Sequence, residues 1–330
     1  MAEYGYNRRQ FIRELGISAG AIGLSAYFPA YLHARGVTYR LSIMHTNDTH
    51  SRIDPYPEGS SMAGMGGISA RMDLLNTIRS ESKRSILLDA GDFFQGTPYF
   101  NFYQGEVEIR AMQQLGYDAA TLGNHDFDGG MDNLFTQLSR AKFPVVCANY
   151  SFGRHALAQR CQSAVVIRRD PLKIGVFGLG INPSGLIPPA LVPHLTYVDP
   201  FEAARRQAQQ LRTICGCHMV ICLSHLGLGY ADDRPSDRQL AQTVPGIDLI
   251  VGGHTHSFLD QAEVYTNPIG QRVYVVQAGH SGLRLGKVDW DIKVGKRTEI
   301  YPVEASLISI GDSKNLGLGP FKGERPRSLC

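Results

Sequence analysis

Seven side chains of this 330-residue chain are metal-ligand types standing within a few residues after an apolar run: Asp48, His50, Asp92, Asn124, His225, His254 and His256. Parallel strands would bring all seven to one sheet edge, the place where open α/β folds keep their sites. Seven oxygen and nitrogen ligands exceed what one tetrahedral ion needs. With no thiolate among them, the set suits two borderline or harder divalent ions such as Mn, Zn, Fe or Co. A carboxylate shared by two ions holds them about 4 Å apart, an arrangement used to hydrolyse phosphate esters. The densest stretch is Gly123-Asn124-His125-Asp126-Phe127-Asp128, which follows the apolar run Ala119-Ala120-Thr121-Leu122 directly. Gly, Asn and Asp are also turn residues, so this stretch reads as a site through its company rather than alone.

The elements that must position these groups alternate along the chain. Tyr39-Arg40-Leu41-Ser42-Ile43-Met44 alternates as a strand and runs into Asp48 and His50, which point the same way in extended chain. Ser85-Ile86-Leu87-Leu88-Asp89 reads as a strand buried on both faces, ahead of Gly91-Asp92. Helices are expected at about 66–79, 107–115 and 131–141, with a further strand at 144–148 containing Cys147. A hairpin is expected at 164–178 around Asp170-Pro171. Asp199-Pro200-Phe201-Glu202 opens a helix to about residue 212, with proline in its first turn and an acid near the positive end of the dipole. Strands at 219–223 and 248–251 end in Ser224-His225 and in Gly252-Gly253-His254, with a polar helix at about 238–243 between them. Residues 272–304 read as a meander, and the tail from 312 as loose.

With 43% hydrophobic and 19% charged residues, the chain can bury a sizeable core. A formal net charge of +3 on dispersed Lys and Arg argues against a nucleic-acid partner. The N-terminus carries Asn7-Arg8-Arg9-Gln10-Phe11-Ile12 and then a weakly apolar run to Ala30, which looks like a twin-arginine export signal. That run is too short to span a bilayer comfortably, so a cleaved leader over residues 1–34 is expected rather than a stable membrane span, with a periplasmic or extracellular product. Of the six cysteines, Cys147 and Cys222 lie in apolar strands as small hydrophobes. Pairing of Cys161, Cys215, Cys217 and Cys330 stays open.

Asp48-x-His50, Gly91-Asp92, Gly123-Asn124-His125-Asp126, His225 and Gly253-His254-x-His256 resemble, in order and spacing, the calcineurin-like metallophosphatases. His45-Thr46-Asn47-Asp48, together with Asn124-His125-x-x-Asp128, is similar to the 5'-nucleotidase branch, and the resemblance covers roughly residues 41–292. It implies a four-layer α/β/β/α sandwich and a catalytic domain over residues 35–310. It also implies Asp48, His50, Asp92 and His256 on one ion and Asp92, Asn124, His225 and His254 on the other, with Asp92 shared. A metal-bound hydroxide would attack phosphorus, His125 would stabilise the charge that develops, and Asp128 would orient His125. Asp126 departs from the Glu usual in nucleotidases.

Phosphomonoesters, above all nucleoside 5'-monophosphates, are the expected substrates, with cyclic 2',3'-nucleotides and sugar nucleotides as alternatives. Nucleotidases of this branch carry a second domain that grips base and phosphate, and none is expected in this sequence. A catalytic subunit with a separately encoded specificity partner is therefore the other reading. His45 is expected to support the site from behind or to pack. His280 is open between a turn and a phosphate-facing role, His155, His194 and His218 are expected in solvent, and Arg71 on a helix face.

Overall fold

The computed structural model describes residues 36–295 and 298–311, and the backbone of 321–322. The expected leader lies outside the described residues, as does nearly all of the tail. In chain order the first half runs β1 (Val37–Thr46), α1 (Ile68–Glu81), β2 (Ser85–Asp89), α2 (Pro98–Tyr103), α3 (Glu106–Leu115), β3 (Ala119–Ala120), α4 (Gly130–Arg140), β4 (Val145–Val146), β5 (Tyr150–Ser151) and β6 (Cys161–Gln162). The second runs β7 (Ala164–Arg169), β8 (Leu172–Leu179), β9 (Thr196–Tyr197), α5 (Pro200–Thr213), β10 (Met219–Ser224), α6 (Asp237–Thr243), β11 (Leu249–Gly252), β12 (Glu263–Thr266), β13 (Arg272–Val276), β14 (Arg284–Val294), β15 (Glu299–Ser309) and β16 (Phe321–Lys322).

Two large sheets result, each with a parallel centre and antiparallel strands added to it, and β5 pairs with β9 as a separate two-stranded antiparallel sheet. One has the order β16-β15-β14-β1-β2-β3-β4-β6 and the other β12-β13-β11-β10-β8-β7. Strands β1, β2, β3, β4 and β6 are mutually parallel, as are β8, β10, β11 and β13. The expected hairpin is β7 against β8, from Ala164 opposite Phe177 to Arg169 opposite Leu172. The expected meander is instead divided, because β13 joins β11 in the second sheet while β14 and β15 extend the first.

Alternation along the strands builds three cores and hence four layers. In β1, Leu41 and Ile43 face the second sheet, and Met44 faces the helices. In β10, Ile221 and Leu223 meet them from the other side, while Val220 and Cys222 turn outward. Leu75, Ile109 and Leu134, from α1, α3 and α4, cover the first sheet, and Ala203, Ala208, Leu211 and Leu240, from α5 and α6, cover the second. The central parallel strands are buried on both faces, in keeping with their nearly continuous apolar runs. Helix α5 starts as its sequence directs: the Asp199 side chain accepts from the Glu202 N–H at 2.7 Å and Pro200 occupies the first turn.

The side chains refine the sequence reading and in part correct it. Arg71 lies on helix α1, as expected, on its buried side, and it packs so closely on Gly282 that a Cβ there would lie 1.7 Å from its Nη2. His155 and His218 are half-buried and have structural partners: His155 Nδ1 accepts from the Leu157 N–H and His218 Nδ1 from the Lys173 N–H. The third strand is two residues long rather than four. Cys147, Cys161, Cys215, Cys217 and Cys222 are free thiols. Among the described residues, no helix is long and apolar enough to cross a membrane.

Candidate metal centre

The parallel strands deliver the seven ligand-type residues to one edge, four from the first sheet and three from the second. Each follows its strand by a few residues: Asp48 and His50 after β1, Asp92 after β2, Asn124 after β3, His225 after β10, and His254 and His256 after β11. Five of them, Asp48, His50, Asp92, His254 and His256, hold left-handed backbone with φ between 47° and 68°. Such conformations cost a non-glycine residue roughly 1–3 kcal/mol each and cluster where function over-determines them.

Backbone hydrogen bonds lace the loops that carry these residues. The N–H of Asp48 donates to Gly91 O at 2.8 Å, and that of His50 to Asp92 O at 3.0 Å. Asn47 ties this edge to the segment after β13: its Nδ2 donates to Gly279 O and to Asp48 Oδ2, each at 2.6 Å, and its Oδ1 accepts from Ala278. Asp126 is fully buried and accepts from four backbone N–H groups, those of Asp92, Phe93, Phe94 and Gly123, at 2.8–3.1 Å. It therefore clamps the loop of Asp92 to the loop of Asn124. Gly123 has no alternative at its position, because a Cβ there would lie 2.1 Å from Asp92 Oδ1.

Two groups of ligand atoms result. Asp48, His50 and His256 form one and Asp92, His225 and His254 the other, and within each group the atoms lie within 4.8 Å of one another. The groups adjoin: His225 Nε2 is 3.0 Å from Asp92 Oδ2 and 3.8 Å from Asp48 Oδ1. Asn124 Oδ1 lies 3.0 Å from His254 Nδ1 and so belongs beside the second group. His50 Nε2 and His256 Nε2 face each other at 3.0 Å. His225 Nδ1 must donate to the Ala90 carbonyl at 2.7 Å, which leaves Nε2 to point at the two carboxylates. Asp48 and Asp92 are buried, and among the described residues no Lys or Arg makes an ion pair with either. Buried acids, converging imidazoles and an amide oxygen, with no thiolate, are a donor set that fits divalent cations.

The titration behaviour follows from these neighbours. Burial opposes charge on His225, but the Asp92 and Asp48 carboxylates prevail and raise its pKa to about 10. His254 is lowered to about 4 by burial and by the neighbouring His225, and burial lowers His50. His45, buried behind the site, is pushed down to about 3 and stays neutral, with its ring close against Gly286.

His125 stands in front, half-exposed, with its ring 5.4 Å from that of His50. Its Nδ1 is 2.9 Å from Asp128 Oδ2, and this hydrogen bond raises the His125 pKa against the effect of burial. His280 lies tilted on His256 at 5.0 Å and meets the Ser281 hydroxyl, so it backs a ligand-type ring. All nine residues singled out by sequence are thus neighbours. Sequence reading missed the structural work of Asp126 and Asn47. Their signal was weak, an acid and an amide inside motifs whose other members were assigned.

Comparison with known proteins places this geometry. A sequence profile described as "Calcineurin-like phosphoesterase" matches residues 41–258. The 5'-nucleotidase of Rattus norvegicus is 34% identical over 297 residues, which are 82% of this chain and 50% of that protein. The snake venom 5'-nucleotidase of Naja atra is 32% identical over 272 residues, 76% of this chain and 50% of the other. Among solved structures, the 5'-nucleotidase precursor of Thermus thermophilus superposes with a TM-score of 0.73 at 32% identity, over 82% of this chain and 55% of that one. The chain spans about half the length of the curated relatives it matches.

Proposed function

The chain belongs to the calcineurin-like phosphoesterase family, and from that premise we propose that it hydrolyses phosphomonoesters, above all nucleoside 5'-monophosphates, with two divalent ions. What carries the reading is the adjacency of two three-residue ligand groups that share a wall of buried carboxylates. Asp48, His50, Asp92 and His256 would hold one ion, and Asp92, Asn124, His225 and His254 the other, drawn from Mn, Zn, Fe and Co. Such ions would supply Lewis acidity toward the phosphoryl oxygens and bring the pKa of a water molecule toward neutrality.

The chain's own groups do the rest. Against two divalent ions, Asp48 and Asp92 would return only two of the four positive charges, and the excess would favour a phosphate dianion. The Asp48 carboxylate is fixed by the His254 N–H, 3.0 Å from both oxygens, and Asp92 Oδ1 by the His125 N–H at 2.8 Å. Asp128 accepts from Nδ1–H of His125 and favours the protonated ring, whose second proton, on Nε2, then faces outward as a donor for the charge that builds on the transferring group and the leaving oxygen. His125 and Asp128 are the proposed catalytic pair.

We place the catalytic unit at residues 35–310, exported through the twin-arginine pathway after loss of residues 1–34. A second reading is a catalytic subunit whose substrate recognition is completed by a separate polypeptide. Hydrolysis by the purified protein with added Mn²⁺ or Co²⁺, measured across AMP, cyclic 2',3'-AMP, UDP-glucose and p-nitrophenyl phosphate, separates the readings. A clear preference for AMP is expected. Uniformly weak turnover would favour the partner, and a preference for either diester would overturn the monoesterase assignment.

A further inference from the structure

Beside the candidate centre, a cavity of about 270 Å³ opens between the loop after β8 and the loop after β10. Its position ties it to the chemistry on two sides. Leu226, one of its walls, directly follows His225. Ile181, another wall, receives the Tyr150 hydroxyl at its carbonyl, and the Tyr150 ring packs edge-on at 5.9 Å against Phe127, in the turn that carries His125. Like the metal-ligand groups, the cavity lies past the carboxyl ends of parallel strands.

The lining suits one flat ring with a polar edge. Tyr230 is immobilised, its hydroxyl donating to Leu226 O at 2.6 Å, and the Arg234 guanidinium lies 4.1 Å over its ring. Leu186, on the opposite loop, is 45% exposed, a large apolar side chain at the rim without cover among the described residues. Asn182 accepts from the Ser184 N–H at 3.0 Å through Oδ1, which leaves its Nδ2 donors free to meet a ligand. Aromatic and leucine faces bury a heterocycle, and an amide reads ring acceptors at its edge. Drug-sized ligands occupy roughly 300–1,000 Å³, so this volume fits a single ring system rather than a second nucleotide.

We propose that this cavity is the leaving-group subsite of the same centre and takes the base of a nucleoside ester. The assignment rests on the monoesterase reading for its reaction, but the binding it requires does not. Leu186→Glu places a charge at an exposed rim position, and Asn182→Asp keeps the acceptor for Ser184 while removing the free donor.

Adenosine binding to metal-free protein, read by calorimetry, and kcat/KM for AMP against ribose 5-phosphate, which has the same ester without the base, together test it. Leu186→Glu is expected to weaken adenosine binding and kcat/KM for AMP by about tenfold, and Asn182→Asp by about fivefold, with ribose 5-phosphate unchanged. No adenosine binding by the wild type, or equal losses on both esters, overturns the subsite. Retained adenosine binding that the variants weaken, with neither ester hydrolysed, would leave the cavity as a nucleoside site and overturn the reaction instead.

Discussion

Asp92→Asn is expected to lose metal and activity together, whereas His125→Ala keeps near-normal metal content and loses roughly 10² or more in turnover. The contrast comes from where the two side chains stand. Asp92 is buried with one oxygen on the His125 N–H and the other 3.0 Å from His225 Nε2, at the seam of the two ligand groups. An amide there keeps the shape but removes half of the carboxylate charge that balances two ions, and a neutral oxygen is a far poorer ligand for a hard or borderline cation. His125, by contrast, is half-exposed and belongs to neither ligand group. Its Nδ1 is committed to Asp128 at 2.9 Å, so truncation takes away one donor and leaves the ligands in place. Metal analysis of both variants, with steady-state rates, is the check. Equal metal loss in the two would make His125 a ligand and reverse its assignment.

Asp126→Asn is expected to damage the centre without touching it. Four N–H groups converge on this one buried carboxylate, and two of them belong to Gly123 and Asp92, on the two loops that it clamps together. An amide offers one oxygen and turns two N–H donors toward groups that are themselves donors. Each buried donor left unsatisfied costs about 1–3 kcal/mol, which corresponds to a fall in Tm of about 5 °C or more in a domain of this size. Because the clamp sets the distance between the loops of Asp92 and Asn124, metal affinity should fall roughly 10–100-fold, as for other groups that orient ligands. A thermal melt and a metal titration read the two effects, and an unchanged value in both would show that the clamp is not needed.

The alternation of strands and helices and the neighbourhood of the site were legible because both follow from local rules, while the four layers were expected from the family resemblance. Strand ends carry ligand-type residues, and period-2 apolar runs specify which face meets which layer, as Leu41 and Ile43 against Met44 show. The assignment of β13 to the second sheet was not legible, because strand partners are chosen by long-range packing that an alternating pattern does not encode. Helix α2 was missed although Thr97 caps it and Pro98 opens it. Its aromatic-rich sequence, Pro98-Tyr99-Phe100-Asn101-Phe102-Tyr103, has no helical spacing of apolar residues. The burial of Arg71 was not legible, because nothing in its own turn announces that Gly282 will pack against it. Asp126 was read as a motif letter, since four N–H donors from two loops become visible only when the loops meet.

Metal content of the full chain, measured after saturation with Mn²⁺ and removal of free ion, bears most directly on the two-ion account. Two ions per chain are expected, falling to one or fewer in Asp92→Asn. A wild-type stoichiometry of one ion or none would contradict the paired centre built from Asp48, His50 and His256 on one side and Asp92, His225 and His254 on the other.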